Sequence, residues 1–94
     1  MIRIVEDACR FAGSGGVVVI ESDKDAGNLA IEELLSGAAR QAAITYAQTL
    51  GMAGAGVSGT PSTYPVDEEG RVIEKAGAAP DRYRADIPVT ARLV

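Results

Sequence analysis

Val17-Val18-Val19-Ile20 is a continuous run of four apolar, β-branched residues, bounded upstream by Gly13-Ser14-Gly15-Gly16 and followed by Glu21, Asp23 and Asp25. A run this short, with no polar alternation, predicts a strand covered on both faces. A covered strand needs partners, and the 94 residues supply one small domain. Such a domain removes only about 60–65% of its unfolded surface from water. The chain is 47% hydrophobic but 4% aromatic, so the core must come from Ala, Val, Ile and Leu, with Phe11 as its single phenylalanine. Side chains this small require close backbone approach or burial against a second subunit.

Upstream of the run, Ile4, Val5, Ala8, Phe11 and Ala12 share one helical face and Arg3, Glu6, Asp7 and Arg10 the other, which predicts a short amphipathic helix ended by the glycines at 13–16. Downstream, Ala39, Ala42, Ala43, Tyr46, Ala47 and Leu50 follow i, i+3, i+4, i+7, i+8, i+11. This spacing predicts a tightly packed helix over 38–50, with Ser36 as its N-cap. Residues 29–33 fit either a strand or a helix. Residues 51–65 read as a short strand and a loop, and 64–74 as a hairpin with Asp67-Glu68-Glu69-Gly70 at the turn. Ile87, Val89, Ala91 and Leu93 alternate with Pro88, Thr90 and Arg92, a half-buried strand. Pro88 lacks a backbone donor, which assigns that strand to an edge. The expected architecture is α/β or α+β over residues 1–94: a mixed sheet of about four to five strands packed with two helices.

The chemistry is sparse. Zero histidines leave no imidazole base and no Ser-His or Cys-His nucleophile pair. The single Cys9 excludes an intrachain disulfide and fits a reducing, cytoplasmic setting. No apolar run approaches the roughly 18 residues of a membrane span, and the chain reads as soluble. Thirteen acidic against nine basic residues, with an isoelectric point near 4.6, argue against a nucleic-acid surface, which needs dense basic charge. Gly54, Gly56 and Gly59 have dinucleotide-loop spacing, but they follow a helix and lead into Thr60-Pro61, so no helix N-terminus would meet a phosphate.

The remaining candidates are the carboxylates after the apolar run, Glu21, Asp23 and Asp25 with Glu32 and Glu33, and a basic C-terminal quarter of Arg71, Lys75, Arg82, Arg84 and Arg92. Strand-end carboxylates suit Mg²⁺ or, with a raised pKa, general-base work. They suit equally a solvated acidic turn. Arg82 and Arg84, with Tyr83 between them, carry forked donors for a phosphate or carboxylate, or for an ion pair.

The stretch "IVEDACRFAGSGGVVVIESDKDAGNLAIEELLSGAARQAAITYAQTLGM" resembles the N-terminal part of 3,4-dihydroxy-2-butanone 4-phosphate synthases, riboflavin-pathway enzymes that convert ribulose 5-phosphate. In that family a helix precedes a V-V-V-V-type strand, an acidic loop D-D-E-D-R-E-N-E-G-D-L, a short strand and a helix. The resemblance places "GNLAIEE" at the short strand and so favours a strand over 29–33. "YRADIPVTARLV" is similar to a later strand of the family, and together the matches span about the first half of its domain. Aligned through the valines, Glu21 takes the first acidic position, Asp25 replaces the loop arginine and Ala26 the metal-binding glutamate. Two residues are missing before Gly27, and Asn28 replaces an aspartate. The expectation is a shortened, catalytically degenerate relative with no cofactor, binding a small anionic metabolite or a protein. It would be a homo-oligomer through the alanine helix or the edge strand 87–94. The alternative is a small enzyme using Glu21, Asp23 or Asp25 on an anion held by Arg82 or Arg84, with Mg²⁺ possible.

Overall fold

The computed structural model describes the chain except residues 76, 78, 79, 93 and 94. Its centre is a pair of long antiparallel strands, β3 (Gly15–Ser22) and β6 (Arg82–Thr90), in register from Gly15 opposite Thr90 to Ser22 opposite Tyr83. The free edge of β3 carries β1 (Ile2–Ile4) and β2 (Arg10–Ala12), and that of β6 carries β4 (Gly56–Val57) and β5 (Ser62–Val66). Two helices, α1 (Gly27–Leu34) and α2 (Gly37–Thr49), lie between β3 and β4 in sequence. The class is α+β, one of the two expected, but the sheet has six strands rather than four to five and is antiparallel throughout rather than mixed.

The pleat explains the apolar run. Val18 and Ile20, paired with Ile87 and Ala85, point to the face covered by the helices, where Leu34, Ala39, Ala43 and Ala47 complete a buried cluster. Val19 points the other way and is also buried. On α2 the fully buried residues are spaced i, i+4, i+8, all alanine, so the helix backbone can sit close to the strands. Ser36 caps it, its hydroxyl accepting from the Ala39 N–H at 3.1 Å. The turn at 67–70 forms as read, with Asp67 N–H donating to Arg71 O and Gly70 N–H to Asp67 O, both at 2.9 Å. Its returning limb is a single bridge between Val66 and Val72, because β5 takes β6 as its ladder partner.

Four expectations about single elements are also corrected. Residues 4–12 are not a helix. β1 and β2 flank one 3₁₀ turn at Glu6–Ala8, and Val5 N–H donates to Val19 O at 2.8 Å. The exposed edge of β3 offers Ile2, Ile4 and Val5 long-range pairing, which outweighs local periodicity for β-branched residues. The glycines at 13–16 therefore turn a hairpin. Ala12 pairs with Gly15, and Gly13, at φ 62°, takes the left-handed position at the first turn residue. Residues 29–33 are helix, not strand: leucine, alanine and glutamate favour it, and Ala30 and Leu34, four apart, are both buried.

Finally, β6 is interior rather than an edge. Pro88 is tolerated because it stands opposite the break between β4 and β5, where Ser58 N–H donates to Pro88 O at 2.9 Å. Leu93, the last residue of the predicted alternation, lies outside the described residues. Of the two surfaces expected to carry self-association, the alanine stripe is buried on the sheet, and the part of 87–94 within β6, up to Thr90, lies between β3 on one side and β4 and β5 on the other. Phe11 stands at the margin of the core, 37% exposed, with its ring tilted on Tyr46 at 6.4 Å.

Candidate functional site

The sheet face turned away from the helices carries charge where the other carries methyl groups. Directly opposed residues share a face, and the register lines up Arg3 (β1), Glu21 (β3), Arg84 (β6) and Tyr64 (β5) in one cross-strand row. Two residues from Arg84 in either direction, Arg82 and Asp86 join the same face.

Glu21 is the hub and is only 4% exposed. Its Oε2 accepts from Arg3 Nε at 2.9 Å and pairs with Nη2 at 2.7 Å. Its Oε1 accepts from Arg82 Nε at 2.9 Å and Arg84 Nε at 3.0 Å. Burial pushes the Glu21 carboxyl up, but hydrogen bonds from Arg84 and Arg3 and the charges of Arg3 and Arg82 outweigh it and hold the group below its ordinary pKa. Beyond Arg84 the row ends in a smaller network. Tyr64 donates to Asp86 Oδ1 at 2.6 Å, and Arg10 Nη2 reaches Asp86 Oδ2 at 3.4 Å. Burial, reinforced by the Asp86 hydrogen bond and charge, pushes the Tyr64 phenol up.

The turn at 67–70 closes over the other ends of the two β6 guanidiniums. Arg82 Nη2 donates to Glu68 O at 3.0 Å and Asp67 O at 3.4 Å, and Arg84 Nη1 to Gly70 O at 3.5 Å. Gly70, at φ 83°, approaches so closely that a Cβ there would lie 2.8 Å from Arg84 Nη2. On the opposite side of Glu21 a cleft of about 220 Å³ is lined by Met1, Ile2, Arg3, Glu21, Ser22, Asp23 and Arg82. Among the described residues, no acceptor meets Nη1 of Arg3 or Nη1 of Arg82.

The acidic stretch is divided by the pleat. Glu21 faces the arginines. Ser22 faces α1, its hydroxyl donating to Glu33 at 2.7 Å and accepting from the Lys24 N–H at 3.1 Å. Asp23, exposed, meets the Met1 amine, which also donates to Glu33 at 2.8 Å. Asp25 is exposed. The three candidate carboxylates therefore do not converge, and among the described residues no group of three His, Cys, Asp or Glu side chains is placed to hold a metal ion. Glu21 does not fit Mg²⁺ either, since both its oxygens are engaged by guanidiniums whose charge repels a cation. Three ion pairs and a pKa below the ordinary value make Glu21 a weaker base than a free carboxylate.

Arg82 and Arg84 do come together, but Tyr83 does not join them. Alternation turns it to the helix face, where it packs on the core with its hydroxyl against Gly27. Arg3, Arg10, Tyr64 and Asp86 were not candidates from the sequence. The period-2 alternation recognised from Ile87 onward extends back to Arg82 and would have put Arg82, Arg84 and Asp86 on one face. Nothing local pointed to Arg3 or Tyr64. No family model, no curated protein and no solved structure matches the chain.

Proposed function

We propose that this chain is a non-catalytic binding protein for a small anionic metabolite, held at the guanidinium cluster around Glu21. The carrying observation is the charge imbalance around one buried carboxylate: three guanidiniums converge on Glu21, those of Arg3 and Arg82 reaching solvent beside the cleft, in a chain whose overall charge is −4. A second anion at the Arg3–Arg82 cleft would balance it through charge-assisted hydrogen bonds to the two unengaged Nη1 groups. The cleft volume, about 220 Å³, suits a ligand below drug size. This is the behaviour expected of a degenerate relative of the dihydroxybutanone phosphate synthases, and that kinship is part of the proposal. An exposed Asp25 and an alanine at position 26 favour binding over turnover.

Titration calorimetry with ribulose 5-phosphate, succinate and inorganic phosphate, each with and without Mg²⁺, tests the reading. The expected result is Mg²⁺-independent binding that weakens about tenfold or more in Arg3→Gln, the loss of a charged hydrogen bond. Absence of binding by all three anions, or Mg²⁺-dependent consumption of ribulose 5-phosphate, overturns it. The mass in solution measured alongside decides whether the protein self-associates by a surface other than the two now accounted for.

A further inference from the structure

We infer that the turn at 67–70 is a displaceable cover, whose carbonyl oxygens occupy the place of a bound oxyanion on Arg82 and Arg84. The inference rests on the anion-binding reading above and adds a second, closed side to the same cluster.

Glu21 Oε1 accepts from the Nε of both arginines, at 2.9 and 3.0 Å. One carboxylate oxygen thereby holds two guanidiniums side by side, and both send Nη groups to the same turn. What those ends meet is three backbone carbonyl oxygens, of Asp67, Glu68 and Gly70. These oxygens, clustered on a single short turn and each on a guanidinium donor, stand where a tetrahedral oxyanion would present its own. Two of the three contacts are long, at 3.4 and 3.5 Å, and each uses a neutral acceptor where an anion would give a shorter and about twofold stronger bond.

The turn is also built to move as a unit. The Asp67 carboxylate accepts from Glu69 N–H at 3.0 Å and Arg71 N–H at 2.9 Å, and the backbone bonds between Asp67 and Gly70 or Arg71 close the ring. These bonds hold the turn to itself. Its hold on the rest of the molecule is the arginine contacts together with the Val66–Val72 bridge and the bond from Ile73 N–H to Pro65 O at 3.0 Å. Gly70 sets the seating. Its positive φ and lack of a side chain let the backbone sit against Arg84, so Gly70→Ala strains the turn and unseats it from Arg84, by movement of the turn or of the guanidinium end.

If the turn covers the donors most of the time, the apparent affinity of an oxyanion is reduced by the open fraction, and lifting the turn raises it. The test uses the full chain with inorganic phosphate as probe and acetate as a non-tetrahedral control. Phosphate is expected to bind Gly70→Ala about tenfold more tightly than the unchanged protein, as for a turn open in about a tenth of molecules, with acetate little affected. In the unchanged protein, phosphate is expected to speed hydrogen exchange at the Ile73 amide, whose bond to Pro65 O breaks when the turn lifts, and not at the Gly70 amide, which is bonded within the turn. This second measurement holds even where Gly70→Ala fails to fold. Phosphate binding that is equal or weaker in Gly70→Ala, with exchange unchanged or slowed, overturns the cover. If that binding is lost in Arg3→Gln, the open cleft remains as the site. No phosphate binding by either protein overturns the cover, and failure of ribulose 5-phosphate and succinate as well removes the anion reading with it.

Discussion

The two faces of the β3–β6 pair differ as sharply as neighbouring residues of one strand can. Ile20 lies under the helices among Ala43, Ala85 and Leu34, while Glu21, one residue on, lies among Arg3, Arg82 and Arg84. One face is held by burial of small apolar side chains, which is non-directional and tolerant of sliding. The other is held by bonds that exist at one alignment only. A slip of one residue between β3 and its neighbours would put Glu21 beneath the alanine helix and Ile20 among guanidiniums. The charged face therefore supplies what a core of valine and alanine lacks, a fixed register.

Breaking the charged face has the largest expected effect. Glu21→Ala leaves three guanidiniums facing one another beside a buried position and is expected to destabilise by about 3–5 kcal/mol, read as a lower midpoint in urea unfolding. The same residue gives a pH signature. Its folded pKa lies below the ordinary carboxylate value of about 4.3, so its stabilisation is complete above that value and is lost as pH falls through the folded pKa. Glu21→Gln is expected to flatten the acid limb of stability against pH, and an unchanged limb would assign that limb to other carboxylates.

On the apolar face, Ile20→Ala removes a fully buried side chain and is expected to destabilise by about 2–5 kcal/mol, with no change in the acid limb. Ala43→Leu tests the close approach of α2. It overfills the contact and is expected to destabilise by about 1–3 kcal/mol, seen as a lower Tm. The mildest test is Tyr64→Phe, which removes the hydrogen bond to Asp86 but leaves Arg10 as its partner, at about 1–2 kcal/mol. A larger loss there than for Ala43→Leu would make the Tyr64–Asp86–Arg10 network as important to the fold as the helix packing.

What could be read from the sequence was what neighbouring residues determine. The strand at Val17–Ile20, the alanine helix with Ser36 as its cap and the turn at 67–70 each depend on a few adjacent side chains, and each is present. Apart from residues 29–33, where local propensity was right and the family resemblance pointed to a strand, the failures came where a distant partner decided. Residues 4–12 have an acceptable helical face, but the exposed edge of β3 recruits them into two short strands. The interior place of β6 depends on β4 and β5 falling on either side of Pro88. At the candidate site, Glu21, Arg82 and Arg84 were candidates by residue type. Their meeting was hidden because it joins positions 61 and 63 residues apart, and Arg3 enters only through its pairing with Glu21.

The outer strands carry a consequence for how copies of this molecule meet. One margin of the sheet is divided into two strands of three residues separated by a 3₁₀ turn. The other is divided into one strand of two residues and one of five that includes Pro65, which has no amide hydrogen to offer. A long, flat row of unpaired amides would invite an endless ribbon of neighbouring chains, and interrupted margins deny it a template. The local breaks that made the N-terminal segment hard to read as a strand are thus also a guard against fibre growth.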